Sequence, residues 1–135
     1  MYEFEVIGDI VGKQRPRVNM YTGSVYTPNK TKDYEDYIKQ SFFIKYPKYE
    51  MITNRVIVKI IAYLKIPKNT GKSKIEKMIN GESSPMKKPD IDNIAKIVLD
   101  AINNYVIKDD IQVSKIFVEK KYGEEEKLYI KIEEY

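Results

Sequence analysis

Cysteine is absent from the 135 residues, and so is histidine. Without cysteine there are no disulfides and no thiolate metal sites, which fits a cytoplasmic chain. Without histidine the usual general base, the base of a hydrolytic triad and the usual zinc ligand are all missing. Any metal must then be held by oxygen ligands, which favours Mg²⁺ or Mn²⁺ over zinc. No apolar run reaches the roughly 18 residues of a membrane-spanning helix. The start, Met1-Tyr2-Glu3-Phe4-Glu5, has no basic segment leading into an apolar one, so no secretory signal is expected.

What is present suits a folded protein. Hydrophobic residues make up 42% of the chain, an ordinary share, and the length suits one domain over residues 1–135 with a single core. The net charge is +4, but its distribution says more than its total. Seven lysines stand against Glu76 and Glu82 between Lys65 and Lys88, and Lys13, Arg15 and Arg17 form a second basic group. Two readings fit: a polyanionic partner, or a surface that is simply rich in lysine.

Hydrophobic periodicity predicts the elements. Tyr2, Phe4 and Val6 alternate with acids, predicting a strand over 2–7, followed by a loop from Gly8 to Arg17. A hairpin over 17–27 is expected around Thr22-Gly23-Ser24. Asn29–Tyr46 reads as a helix with Tyr34, Tyr37, Ile38, Ser41 and Phe42 on one buried stripe, stopped by Pro47. Arg55–Lys65 is apolar on one face and mixed on the other, as in a central strand. Ser73–Asn80 reads as a short helix ending at Gly81, and Asp92–Asn103 as a second helix burying Ile94, Ile97, Val98, Ala101 and Ile102. Residues 111–121 and 127–134 are expected to form a hairpin turning near Gly123. This order predicts an α+β fold, a mixed or antiparallel sheet packed against helices.

Against the basic background stands Lys88-Pro89-Asp90-Ile91-Asp92-Asn93-Ile94-Ala95-Lys96, with Asp109-Asp110 behind it. Acids in a positive surface repel phosphate unless a divalent cation sits between them. On an extended segment Asp90 and Asp92 point the same way and can converge on one ion, with Lys96 one turn further along the helix. That helix is roughly 16 Å long, so spacing alone does not bring Asp109 or Asp110 back to the pair. A bland reading competes: Asp92, Lys96 and Asp100 at i, i+4, i+8 form surface salt bridges, Asp90 or Asp92 caps the helix, and Asp109-Asp110 makes a turn.

The constellation resembles the signature of the RusA-like Holliday-junction resolvases, D-x-D-N-x-x-K, then D-A-[LI], then D-D-x-Q-V. It is carried here by Asp90-Ile91-Asp92-Asn93-Ile94-Ala95-Lys96, Asp100-Ala101-Ile102 and Asp109-Asp110-Ile111-Gln112-Val113. Gly12-Lys13-Gln14-Arg15-Pro16-Arg17 resembles that family's early basic loop. The resemblance implies an α+β homodimer that resolves four-way DNA junctions by paired nicks in recombination and repair, using Mg²⁺ with Mn²⁺ as a substitute. It maps the metal-binding aspartates onto Asp90, Asp92 and Asp110, with Asp109 the competing third ligand, and the catalytic lysine onto Lys96. Lys13, Arg15, Arg17, Lys87 and Lys88 become candidate phosphate contacts. Asn93 is expected to hydrogen-bond locally and Asp100 to pair with Lys96; the twelve tyrosines are expected mostly in core or sheet, with stacking of Tyr21 or Tyr26 on an opened base the alternative. Two alternatives stay open: a DNA-binding module without catalysis, and a nuclease for other branched DNA.

Overall fold

The computed structural model describes residues 1–26 and 28–135. Among them six strands and three α-helices follow in order: β1 (Tyr2–Ile7), β2 (Arg17–Val18), β3 (Val25–Tyr26), α1 (Asn29–Lys45), β4 (Val56–Lys65), α2 (Lys72–Ile79), α3 (Ile91–Ile102), β5 (Val113–Gly123) and β6 (Lys127–Glu134). A single 3-10 turn, Asp110–Gln112, precedes β5. The fold is α+β with a mixed four-stranded sheet in the order β1-β6-β4-β5. No described helix is long and apolar enough to cross a membrane.

The strand most apolar in sequence lies inside the sheet. Val56, Val58, Ile60, Ala62 and Leu64 of β4 are all buried, and the strand is bonded on both edges. This overturns the predicted hairpin of residues 111–121 and 127–134. β5 and β6 do not pair; β4 runs between them, parallel to β5 and antiparallel to β6. A strand buried on one face and half-buried on the other must satisfy its backbone on both edges. The stretch from α2 through α3 is long enough to return the chain for a parallel pairing. Gly123 ends β5 beneath Tyr63, where a Cβ would lie 3.2 Å from that residue's side chain.

α1 and α3 cover the inner face of the sheet. Tyr34, Ile38 and Phe42 of α1 and Ile94, Ile97, Val98, Ala101 and Ile102 of α3 join Phe4, Val6, Leu128, Ile130 and Ile132 in one core. Each large side chain so buried contributes about 1.5–3 kcal/mol. Two members of the predicted α1 stripe sit at its margin instead: Ser41 is half-buried and Tyr37 is exposed, its hydroxyl donating to the carbonyl of Ile7 at 2.6 Å. β2 and β3 form the small predicted ribbon, with Arg17 opposite Tyr26; its expected last residue, Thr27, lies outside the described residues. α2 buries no residue.

Candidate nuclease site

A cleft of about 1000 Å³ opens between the loop after β1 and α3. Asp90, Asp92, Asn93, Lys96 and Asp100 line one wall, with Lys88 and Pro89 leading into it. Residues 10–17 and Lys30 form the other.

Close backbone contact builds this wall. The N–H of Lys13 donates to the carbonyl of Asn93 at 2.9 Å. Gly12 sits so near α3 that a Cβ there would come within 2.9 Å of the Cβ atoms of both Asn93 and Pro89. Only glycine fits without displacing one of the two chains. The expected local role of Asn93 is thus filled by its main chain: its carbonyl receives Lys13, and its N–H donates to Asp92 Oδ1 at 3.0 Å.

Asp90 occupies the N-cap position of α3, yet its side chain makes no capping hydrogen bond. Its carboxylate, like that of Asp92 in the first turn, is exposed on the cleft. Neither acid forms an ion pair among the described residues, and neither does Lys96. The Lys96–Asp100 bridge expected from i, i+4 spacing does not form. Asp100 turns to Lys13 instead, Oδ2 to Nζ 3.0 Å, and Lys13 also contacts Glu35 Oε1 of α1 at 2.5 Å. Burial pushes the Lys13 pKa down, but hydrogen bonds to Glu35 and Asp100 outweigh it, so the net shift is upward. Lys13, a candidate phosphate contact by sequence, lines the cleft but is paired there with two carboxylates.

Arg15, Arg17 and Lys88 line the cleft as expected, joined by Lys30, which sequence reasoning overlooked. Its signal was its place in the first turn of α1, immediately after the basic loop and hairpin. Lys87 is not part of the lining; its carbonyl accepts from Lys120 Nζ. Tyr21 is almost fully exposed and Tyr26 half so, on the ribbon that carries Arg17.

The two acids after α3 lie elsewhere. Asp109 Oδ1 accepts from the N–H of Ile111 at 3.0 Å, while Gln112 Oε1 accepts from the N–H of Asp109 at 2.8 Å, a reciprocal cap. Gln112 Nε2 donates to the carbonyls of Ile52 and Asn54 at 2.9 and 2.8 Å, tying the turn to the approach of β4. Asp110 is held beside Asn103, whose Oδ1 accepts its N–H at 3.1 Å. A hydrogen bond with Asp109, then the nearby charges of Asp109 and Asp100, hold the Asp110 carboxyl above the usual range. Asp110 thus belongs to the C-terminal end of α3, while Asp90 and Asp92 mark its N-terminal end. Among the described residues no three acidic side chains come together to hold one ion.

The remaining pair still suits a metal. Two carboxylates on one cleft, neither with a cationic partner and Asp92 accepting only the N–H of Asn93, are hard oxygen donors, the set that Mg²⁺ and Mn²⁺ prefer.

Known proteins resemble this chain over most of its length. The sequence model of the family described as endodeoxyribonuclease RusA matches residues 8–133. The chain is also 35% identical to the uncharacterized protein YqaN of Bacillus subtilis (strain 168) over 136 residues, covering 98% of this chain and 95% of that protein.

Proposed function

The chain belongs to the RusA endodeoxyribonuclease family, and from that premise we propose that it is a Mg²⁺-dependent, structure-selective endonuclease that resolves four-way DNA junctions by paired nicks. Its setting on this reading is cytoplasmic recombination and repair, and its working form is a homodimer, since two-fold symmetry would set two sites on a two-fold junction.

One observation carries the reading. Asp90, Asp92 and Lys96 share one face of the cleft, none of them in an ion pair, while Arg15, Arg17, Lys30 and Lys88 surround them. Salt bridges would have engaged these charges; here a different lysine has taken Asp100.

Asp90 and Asp92 are the residues of this cleft that would hold Mg²⁺ or Mn²⁺. A bound ion supplies Lewis acidity to the scissile phosphate and lowers the pKa of water at that place. Lys96 neutralises charge that develops on the phosphate oxygens. Arg15, Arg17, Lys30 and Lys88 grip the flanking backbone without reading sequence. Tyr21 and Tyr26 offer rings to an opened base at the junction centre. The signature names Asp110 as a third carboxylate, but within one chain the cleft supplies only the first two.

The test is incubation with a synthetic four-way junction and Mg²⁺. Wild type should nick opposing strands symmetrically, and Asp92→Asn should lose about 10²-fold or more in rate while still binding the junction. Equal cutting by both proteins removes the proposed site. Metal-independent, salt-sensitive binding without cutting by wild type favours the non-catalytic DNA-binding module, and preference for a flap over the junction moves the substrate to other branched DNA.

A further inference from the structure

Asp100 stands between two lysines and pairs with one of them. Lys96 and Asp100 are four residues apart on α3 and line the same cleft, a spacing that sets two side chains on one face of a helix. Yet Asp100 Oδ2 meets Lys13 Nζ at 3.0 Å, and no ion pair among the described residues includes Lys96.

The cause lies in what already holds Lys13. Its N–H is fixed on the carbonyl of Asn93 at 2.9 Å, and its ammonium rests on Glu35 Oε1 of α1 at 2.5 Å. The Lys13 side chain is only 19% exposed. Packing has ordered it, so adding Asp100 costs little further entropy. Lys96 starts from a weaker position, because it must order itself on a helix surface for the same contact. A lysine four residues before an acid is also the less favourable order of such a pair, which shifts an equilibrium by only about twofold. Lys13 therefore wins Asp100. Remove Lys13, and the carboxylate is released one turn from Lys96.

We propose that Lys13 is a positioning residue for Lys96: by holding Asp100 on the Glu35 side, it withholds that carboxylate from Lys96 and keeps the ammonium of Lys96 available to phosphate. Asp92 is the other acid one turn from Lys96, and on the reading above it is engaged by the cation, so Asp100 is the carboxylate left to quench the lysine. The same cation masks Glu35 and Asp100 in a cleft that must admit phosphate. Lys13 itself touches no reacting atom on this reading; it acts through Asp100. The proposal rests on the role given above to Lys96. Its first test uses neither DNA nor metal, so failure here is separable from failure of that role.

Lys13→Gln removes the charge and keeps a polar side chain. Brief acetylation with acetic anhydride, read lysine by lysine by mass spectrometry, should find Lys96 reacting about twofold more slowly in Lys13→Gln than in wild type, as its ammonium engages Asp100. In an Asp100→Asn background the same Lys13 substitution should leave the Lys96 rate unmoved. Partial unfolding would speed acetylation, so a damaged fold does not imitate the expected slowing. Single-turnover cleavage of a four-way junction at saturating protein should fall about twofold to tenfold on Lys13→Gln, and should not fall when the substitution is made in the Asp100→Asn background. A Lys96 rate that Lys13→Gln does not slow overturns the proposal. So does a slowing that persists with Asp100→Asn, or a cleavage loss of equal size in both backgrounds. A wild type that cuts no branched DNA overturns the function proposed above, and acetylation still decides whether Lys13 holds Asp100 away from Lys96.

Discussion

The ammonium of Lys13 lies 3.0 Å from a carboxylate oxygen of Asp100, although the i, i+4 spacing of Lys96 and Asp100 favours a different pair. Lys13 is carried to that position by a loop whose main chain is bonded to Asn93 and whose Gly12 packs directly on α3. Its other partner, Glu35, comes from α1. One cation thereby joins three elements at the wall of the cleft, and Lys96 is left facing the cleft unpaired.

Lys13→Ala should therefore act first on stability. It leaves Glu35 and Asp100 without their cation, which costs about 1–3 kcal/mol. Because the partners raise the Lys13 pKa above 10.5, the stabilisation is complete at neutral pH and is lost only as pH climbs through the raised value. Urea unfolding of wild type and variant should differ by a constant amount from pH 6 to 9. A difference near zero would remove the clamp.

Arg15→Ala and Arg17→Ala should behave differently. Both side chains line the cleft without an intramolecular ion pair. Each substitution should leave unfolding within about 0.5 kcal/mol of wild type and weaken junction binding evenly across sequences. The slope of log affinity against log salt should fall by about one for each lost phosphate contact.

Gly12→Ala tests the close approach. The added methyl meets two Cβ atoms at 2.9 Å, too near for either neighbour to absorb by rotation. A stability loss of about 1–3 kcal/mol is expected from overpacking, together with reduced cleavage as the basic loop moves away from Asp90 and Asp92. Unchanged melting would show that the loop can lift off α3 at no cost.

Alkaline pH should loosen the sheet at a defined place. Tyr129 donates to Glu3 Oε2 at 2.6 Å, and this hydrogen bond, with some burial, pushes its pKa from 10.0 up to about 12. A raised folded-state pKa means stability that is intact below about pH 10 and is lost as pH rises through about 12. The advantage of wild type over Tyr129→Phe in urea unfolding should shrink across that interval. An advantage that stays level to pH 12 would assign the alkaline titration elsewhere.

Much of this was readable from local pattern. The helices at Asn29–Lys45 and Ile91–Ile102 follow from apolar residues recurring every three or four positions, and the strand at Tyr2–Ile7 from strict alternation. The D-x-D-N-x-x-K motif marked Asp90, Asp92 and Lys96 by residue type and spacing, but the extended run expected to point both carboxylates the same way stops at Asp90, because α3 already begins at Ile91. Glu35 was invisible as a site residue, since nothing in a stretch 22 residues beyond Lys13 announces that it will meet that lysine. The apparent β5–β6 hairpin misled for the same reason: two strands with a short link look adjacent until a third, apolar on its own account, claims the space between them.

By itself, the sequence determined the element types, the basic setting, the restriction to oxygen-ligand chemistry and the acids with their lysine, because each depends on neighbours within a turn or a strand. Tertiary structure alone decided which groups remain unpaired. It inserted β4 between β5 and β6, gave Asp100 to Lys13, left Asp90, Asp92 and Lys96 facing the cleft, and kept Asp110 at the far end of α3. Those outcomes depend on which distant surfaces meet when apolar faces are buried, and burial is indifferent to sequence separation.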